Sequence, residues 1–376
     1  MSLTADRPLV RWAAPVAAVA VIAGATVLTT RSASADAGLP TITAQQLLVD
    51  VQAAKVPGIS GTVNQSVDLG LPQLPGLSSG SGSTSDSPAL SSIVSGTHTW
   101  RVWVAGATQQ RLALVGSLGE SDVIRNGKDV WAWSSQDQTA VHSTLPAMPA
   151  MSAHAPDVGR SVVPLDVPKT PADAAQMALA LAGKTTDVSV AGTAVVAGRP
   201  AYELVLKPKD SATRVAQVRI AVDSVTKVPL RVQVYSTKLA NPAIDVGFTS
   251  VDFSVPPAAQ FTFTPPPGTT VTQKALPTPS AGATTKPALP ADATKPKVVG
   301  AGWSSVVVAK VPADAMSQAG GGQVQGLLAA IPKVSGAWGS GRLVEGTLFS
   351  VLLTDDGRLA AGAVVPAQLY AALAAG

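Results

Sequence analysis

Apolar and polar positions alternate along much of this chain, most clearly over residues 190–271. Gly198-Arg199-Pro200-Ala201 opens a run, Tyr202-Glu203-Leu204-Val205-Leu206-Lys207-Pro208, that sets Tyr202, Leu204 and Leu206 on one side. Residues 217–222, 230–234, 248–253 and 261–264 continue the pattern. A period of two puts one face in an apolar core and the other in water, which predicts a β-meander. Upstream, residues 59–69, 97–104, 109–115, 120–126, 129–134 and 138–143 read as further strands, with Asn126-Gly127-Lys128 as a hairpin turn. Two segments change to a helical period. Residues 43–54 place Leu47, Leu48 and Val51 on one face, with Thr43 as N-cap and Pro57-Gly58 as the stop. Residues 170–183 start at Thr170-Pro171-Ala172-Asp173 and end at Gly183.

Past the meander, residues 273–297 are rich in Pro, Ala, Thr and Lys and read as a linker. Residues 298–376 then form a small C-terminal α/β module. Its predicted elements are strand 303–310, helix 313–331, strand 341–353, a turn at Asp355-Asp356-Gly357, strand 358–364 and helix 366–374. Residues 71–95, centred on Ser78-Ser79-Gly80-Ser81-Gly82-Ser83, and residues 147–168 read as loops.

The N-terminus is read as an export signal or an anchor. Arg7 and Arg11 precede an apolar run over residues 12–29, and Ser32-Ala33-Ser34-Ala35-Asp36 supplies small residues for cleavage after Ala35. Residues 1–35 are thus a signal peptide or an uncleaved membrane anchor held by residues 12–30; either one places the rest outside the cytoplasmic membrane.

Composition narrows the chemistry. Of 376 residues 46% are hydrophobic and 13% charged, so a core can form on a weakly charged surface. The net charge is +4, but the basic residues are scattered, which argues against a nucleic-acid partner and leaves weak attraction to anionic lipid head groups. There is no cysteine, hence no disulfide, thiol nucleophile or lipid-modified cysteine. His98, His142 and His154 lack zinc-ligand spacing and acidic neighbours. Gly183-Lys184-Thr185 follows a helix and has Ala178 where a phosphate loop needs glycine. No catalytic residue, metal ligand or cofactor site is therefore assigned, and the chain is read as a non-enzyme.

The tryptophans carry the functional reading. Trp100, Trp103, Trp131 and Trp133 cluster in the first ladder, either as core filling or as cavity lining. The cavity reading joins Trp100, Leu112, Leu114, Trp131, Trp133, Tyr202, Leu204, Leu206, Ile220, Val232 and Val234 around an apolar ligand. Met177, Leu179 and Leu181, with the Met148 to Met151 segment, would form an adaptable lid.

Five runs carry a family resemblance. They are the helix-then-strand of residues 44–65; Val123-Ile124-Arg125-Asn126-Gly127-Lys128-Asp129-Val130-Trp131-Ala132-Trp133; residues 196–208; Ala221-Val222-Asp223-Ser224-Val225-Thr226-Lys227-Val228-Pro229-Leu230-Arg231; and Phe261-Thr262-Phe263-Thr264-Pro265-Pro266-Pro267-Gly268. In this order, after a signal sequence, they resemble the LolA/RseB-like lipoprotein-carrier superfamily, as an actinobacterial-type exported member. The resemblance implies an α+β fold over residues 36–272: an incomplete antiparallel β-barrel, a curved sheet around one or two helices. It implies partners that are lipid or lipoprotein acyl chains at a membrane surface. The alternative it leaves open is an envelope-stress regulator of RseB type that contacts an anti-sigma factor, a membrane-protein partner; two modules on a tether would suit that role.

Overall fold

A computed structural model describes residues 38–70, 96–116, 119–145, 185–274, 296–311 and 331–375. Twelve strands form the main sheet: β1 (Gly58–Val67), β2 (Gly96–Ala105), β3 (Gln109–Val115), β4 (Glu120–Asn126), β5 (Asp129–Ser134), β6 (Thr139–Thr144), β7 (Thr186–Val196), β8 (Arg199–Pro208), β9 (Val215–Asp223), β10 (Pro229–Ser236), β11 (Pro242–Asp252) and β12 (Thr270–Gln273). They lie in the order β12-β6-β5-β4-β3-β2-β1-β11-β10-β9-β8-β7. Two meanders, β2–β6 and β7–β11, are joined edge to edge by β1, which pairs antiparallel with both β2 and β11. The sheet is curved and its two end strands do not meet, so it is an open barrel, as expected.

The turn chemistry explains the hairpins. Gly106 and Gly127 sit at φ 64° and 63°, conformations that cost glycine nothing, and they connect β2 to β3 and β4 to β5. Helix α1 (Ala44–Ala53) begins as its sequence predicts: the Thr43 side chain accepts from the Gln46 N–H at 3.1 Å.

Directly opposed residues share a face of a sheet. One line of partners runs Leu114, Trp100, Val63, Phe248, and another runs Val246, Val232, Ile220, Leu204, Val190. This first face is apolar from β3 to β7 except at Gln65 and His98, which continue the second line past Val246. The second face carries Trp131 opposite Ile124, Ile124 opposite Arg111, and Arg111 opposite Trp103. Residues 261–264, expected to continue the strand pattern, instead follow directly from a short 3₁₀ turn (Ala258–Phe261). Pro265-Pro266-Pro267 cannot donate to a ladder. The segment packs on the second face, burying Phe261, and then forms β12, which runs parallel to β6.

A second sheet contains β13 (Lys297–Val299), β14 (Val306–Lys310), β15 (Lys333–Gly336), β16 (Gly339–Glu345), β17 (Ser350–Thr354) and β18 (Arg358–Gly362), ordered β13-β14-β18-β17-β16-β15 and backed by helix α2 (Pro366–Ala374). All its pairs are antiparallel. Its described part is therefore an antiparallel sheet with one helix, where an α/β module was expected. The predicted strand over 341–353 is two strands, because residues 346–349 turn, with Gly346 N–H donating to Phe349 O at 2.9 Å. The strand expected from 303 starts at Val306, after a 3₁₀ turn (Gly302–Ser304) that buries Trp303. The helix expected over 170–183 lies outside the described residues, as does nearly all of that over 313–331. Among the described residues no helix is long and apolar enough to cross a membrane.

Candidate functional site

The structure divides the eleven candidate cavity residues into three groups. Tyr202, Leu204, Leu206, Ile220, Val232 and Val234 pack together on the first face of β8–β10. Trp100, Leu112 and Leu114 share that face but belong to a neighbouring cluster with Val63 and Val102 of β1 and β2 and Val246 and Phe248 of β11. Trp131 and Trp133 point to the opposite side. Their partners Ile124 and Asp122 alternate with Val123, which opposes Leu112, so no single cavity holds all three tryptophans. Counting positions within a strand gives parity; only the register between strands says which parity is shared.

The first group is filled from above by α1. Leu47 has 0% exposure and packs against Tyr202, Leu204, Leu206, Ile220 and Val232, with Leu48 and Val51 beside it. One contact fastens the segment leading into the helix and one the helix itself. Tyr202 Oη donates to Pro40 O at 3.1 Å. Lys227 Nζ lies 4.0 Å from Asp50 and 4.8 Å above the Tyr202 ring. Lys227 is positioned by its turn, in which Asp223 accepts from Thr226 N–H at 2.7 Å, Val225 N–H at 3.1 Å and Arg199 Nε at 2.6 Å. Burial opposes ionisation of Asp223, yet the hydrogen bonds from Arg199 and Thr226 outweigh it and hold the carboxyl below its usual range.

The other end of this cluster is closed by residues the sequence reading did not select. Trp303 and Leu348 enter it from the C-terminal segment, and Trp303 Nε1 donates to Thr186 Oγ1 at 2.7 Å. An isolated buried-type tryptophan past a proline-rich stretch was the available signal for Trp303.

On the Trp100 side the face is less covered. Trp100 Nε1 donates to the buried Gln65 Oε1 at 2.8 Å, while Leu112 and Leu114 are partly exposed and the neighbouring Val123 is 51% exposed. The lid residues Met148 to Met151, Met177, Leu179 and Leu181 lie outside the described residues.

Trp131 and Trp133 have a packing role on the second face. Trp131 stacks on His142, with centroids 4.3 Å apart, and both tryptophans contact Phe263. His142 bridges Asp129 at 3.0 Å and Gln273 of β12 at 2.9 Å. Beside them Arg111 pairs with Asp122 at 2.5 Å and lies over the Trp103 ring. Among the described residues no group of three His, Asp or Glu side chains is placed to hold a metal ion.

Residues 76–273, just over half of the chain, match a family model described as "Predicted periplasmic protein (DUF2092)". The chain belongs to the DUF2092 family. The matched stretch takes in β2–β12 and stops short of the second sheet. Its description as periplasmic agrees with export. None of the curated proteins matches this DUF2092 chain in sequence. Among solved structures it is similar to an uncharacterized conserved protein from Thermus thermophilus (14% identity, TM-score 0.33, covering 61% of this chain and 99% of that one). It is also similar to the Pseudomonas aeruginosa MucA/MucB complex (16%, 0.41, 88% and 96%) and to a LolA superfamily protein from Nitrosomonas europaea (12%, 0.20, 59% and 99%). MucB and LolA-superfamily proteins are thus among its structural neighbours, the two groups that its sequence resembles.

Proposed function

We propose that this protein is an exported, non-catalytic binding protein that takes an acyl chain of a lipid or lipoprotein on the first face of the main sheet. The observation that carries this reading is the seat of α1. A single ten-residue helix covers the cluster of Tyr202, Leu204, Leu206, Ile220 and Val232; beyond its apolar stripe it has one long ion pair, Asp50 with Lys227, and the segment ahead of it has one hydrogen bond, Tyr202 to Pro40. Exchanging Leu47, Leu48 and Val51 for an acyl chain conserves apolar burial, at about 0.8 kcal/mol per methylene. The neighbouring apolar row of Phe248, Val63, Trp100 and Leu114 supplies length for the chain to extend along the face.

The test is native mass spectrometry of the chain from Asp36 onward, purified without detergent, with solvent extraction of whatever is bound. A stoichiometric acylated molecule is expected. Lys227→Ala, which frees α1, should raise uptake of a fluorescent fatty acid about threefold to tenfold. A protein that arrives empty and ignores added lipid in both forms overturns the reading. Charged substitution of Leu204 or Ile220 is a poor probe, because both are fully enclosed core residues and would lose the fold first.

A further inference from the structure

Two polar rows cross the second face of the main sheet. In one, Thr97 opposes Ser66 and Ser66 opposes Asp245; in the next, Asn64 opposes Gly247 and Gly247 opposes Arg231. Alternate positions of a strand share a face, so the rows lie side by side. Asn64, Ser66, Thr97 and Arg231 are exposed, and Asp245 is half-buried. Gly247 keeps the centre low: a Cβ there would come 2.8 Å from Arg231 Cγ. The Arg231 stem lies flat over this glycine and reaches Asp245 with Nε at 2.8 Å and with Nη2. Gln233 Nε2 donates to the same carboxylate at 3.0 Å.

These rows line a groove of about 370 Å³, within the range of ligand sites. Val195 and Val196 line it from the end of β7, and Gln65 and Phe248 from the first face. Thr249 lines it as the extra residue of a bulge in β11, a device that re-aims a side chain. Among the described residues Arg231 and Asp245 are the only charged side chains of the lining, and they neutralise one another. An anion at Arg231 would meet the Asp245 carboxylate, and a cation at Asp245 would meet the guanidinium, so either charge is disfavoured. An apolar ligand would leave the hydroxyls and amides unpaired.

We propose that this groove binds a neutral, hydroxyl-rich ligand, a saccharide unit. Sugar hydroxyls both donate and accept, which matches the hydroxyls of Ser66, Thr97 and Thr249. Asn64 Oδ1 accepts from Thr99 Oγ1 at 3.2 Å, which leaves its amide nitrogen to donate to the ligand. The C–H face of the ring packs on Val195 and Val196. Two sources share this chemistry, a free glycan and the glycosyl head of a lipid. The site needs no acyl chain and is independent of the one assigned to the seat of α1.

The test probes a glycan array of neutral, acidic and amino sugars with the full exported chain. The strongest hit is then titrated calorimetrically, as the free sugar and as its dodecyl glycoside below micelle formation. Neutral glycans should lead the array. Ser66→Ala combined with Thr97→Ala, both at exposed positions, should weaken the titrated sugar about tenfold or more at an unchanged melting temperature. Asp245→Asn leaves the Arg231 charge uncompensated and should move the preference to acidic glycans. A glycoside that binds no tighter than its sugar marks a free glycan as the occupant, and one that binds about tenfold tighter marks a lipid head; both are the proposed chemistry. The proposal is overturned if no glycan binds, if acidic or amino glycans lead with the native chain, or if the double variant and Asp245→Asn both bind as the native chain does.

Discussion

Asp122 lies in β4 with 3% of its side chain exposed, paired with Arg111 at 2.5 Å and with Glu120 nearby. Burial outweighs the favourable Arg111 charge, Glu120 adds to it, and the carboxyl is pushed up to about 6. A raised value means that the fold prefers the protonated acid. This contribution is complete below the ordinary carboxylate value and is lost as pH rises through 6. The melting temperature should therefore rise from pH 7 to pH 5, and Asp122→Asn should flatten that slope. Thermal melts across that window check it; an unchanged slope in the variant would falsify the assignment. Asp223 has the opposite sign, because its bonds to Arg199 and Thr226 favour the charged form, so its contribution fades only as pH falls below the usual carboxylate range. Trp100→Phe removes the N–H to Gln65 and part of the buried ring volume, a loss of at least about 1–2 kcal/mol by denaturant titration.

Helix α1 and the strands differ in how much of their position is local. Thr43, the Leu47/Leu48/Val51 stripe and the Pro57-Gly58 stop all act within the segment, and the observed helix follows them. Thr43→Ala should weaken the helix by about 1 kcal/mol. If α1 is what an acyl chain replaces, the same change should increase fatty-acid uptake while Leu204→Ala, a core cavity costing about 2–5 kcal/mol, should not. Comparing the two by fluorescence and thermal melting separates displacement of α1 from general loosening. Strands β3, β4 and β5 occupy their predicted residues, since each is bounded by its own turn. The grouping of Trp131 and Trp133 with Trp100 was not readable in the same way: it depends on pairing between strands, and one residue of register moves a side chain to the other face.

At the scale of the molecule the two sheets are bonded to one another. Arg214, 8% exposed at its side chain, pairs with Glu345. Ser236 Oγ donates to Thr347 O at 2.5 Å, Thr347 N–H to Leu69 O at 2.7 Å, and Val365 N–H to Ala212 O at 2.9 Å. With Leu348 and Trp303 in the main core, the second sheet is a wall of the first cluster, in place of the freely tethered module that a proline-rich linker suggests. Glu345→Ala leaves Arg214 enclosed with no counter-charge across the seam, and should cost about 1–3 kcal/mol after allowance for the exposure of Glu345. Calorimetry should then resolve two transitions or one lowered transition; an unchanged trace would show that the seam does not depend on this pair.

The sequence by itself determined what is local: the strand period, the turn glycines, the cap of α1 and the apolar character of Tyr202, Leu204, Leu206 and Ile220, because each follows from neighbours along the chain. The tertiary structure alone decided which faces combine, that α1 occupies the seat assigned to a ligand, and that Trp303 and Leu348 close its end. Those outcomes rest on contacts between residues as much as a hundred or more positions apart, and periodicity carries no information about partners at that separation.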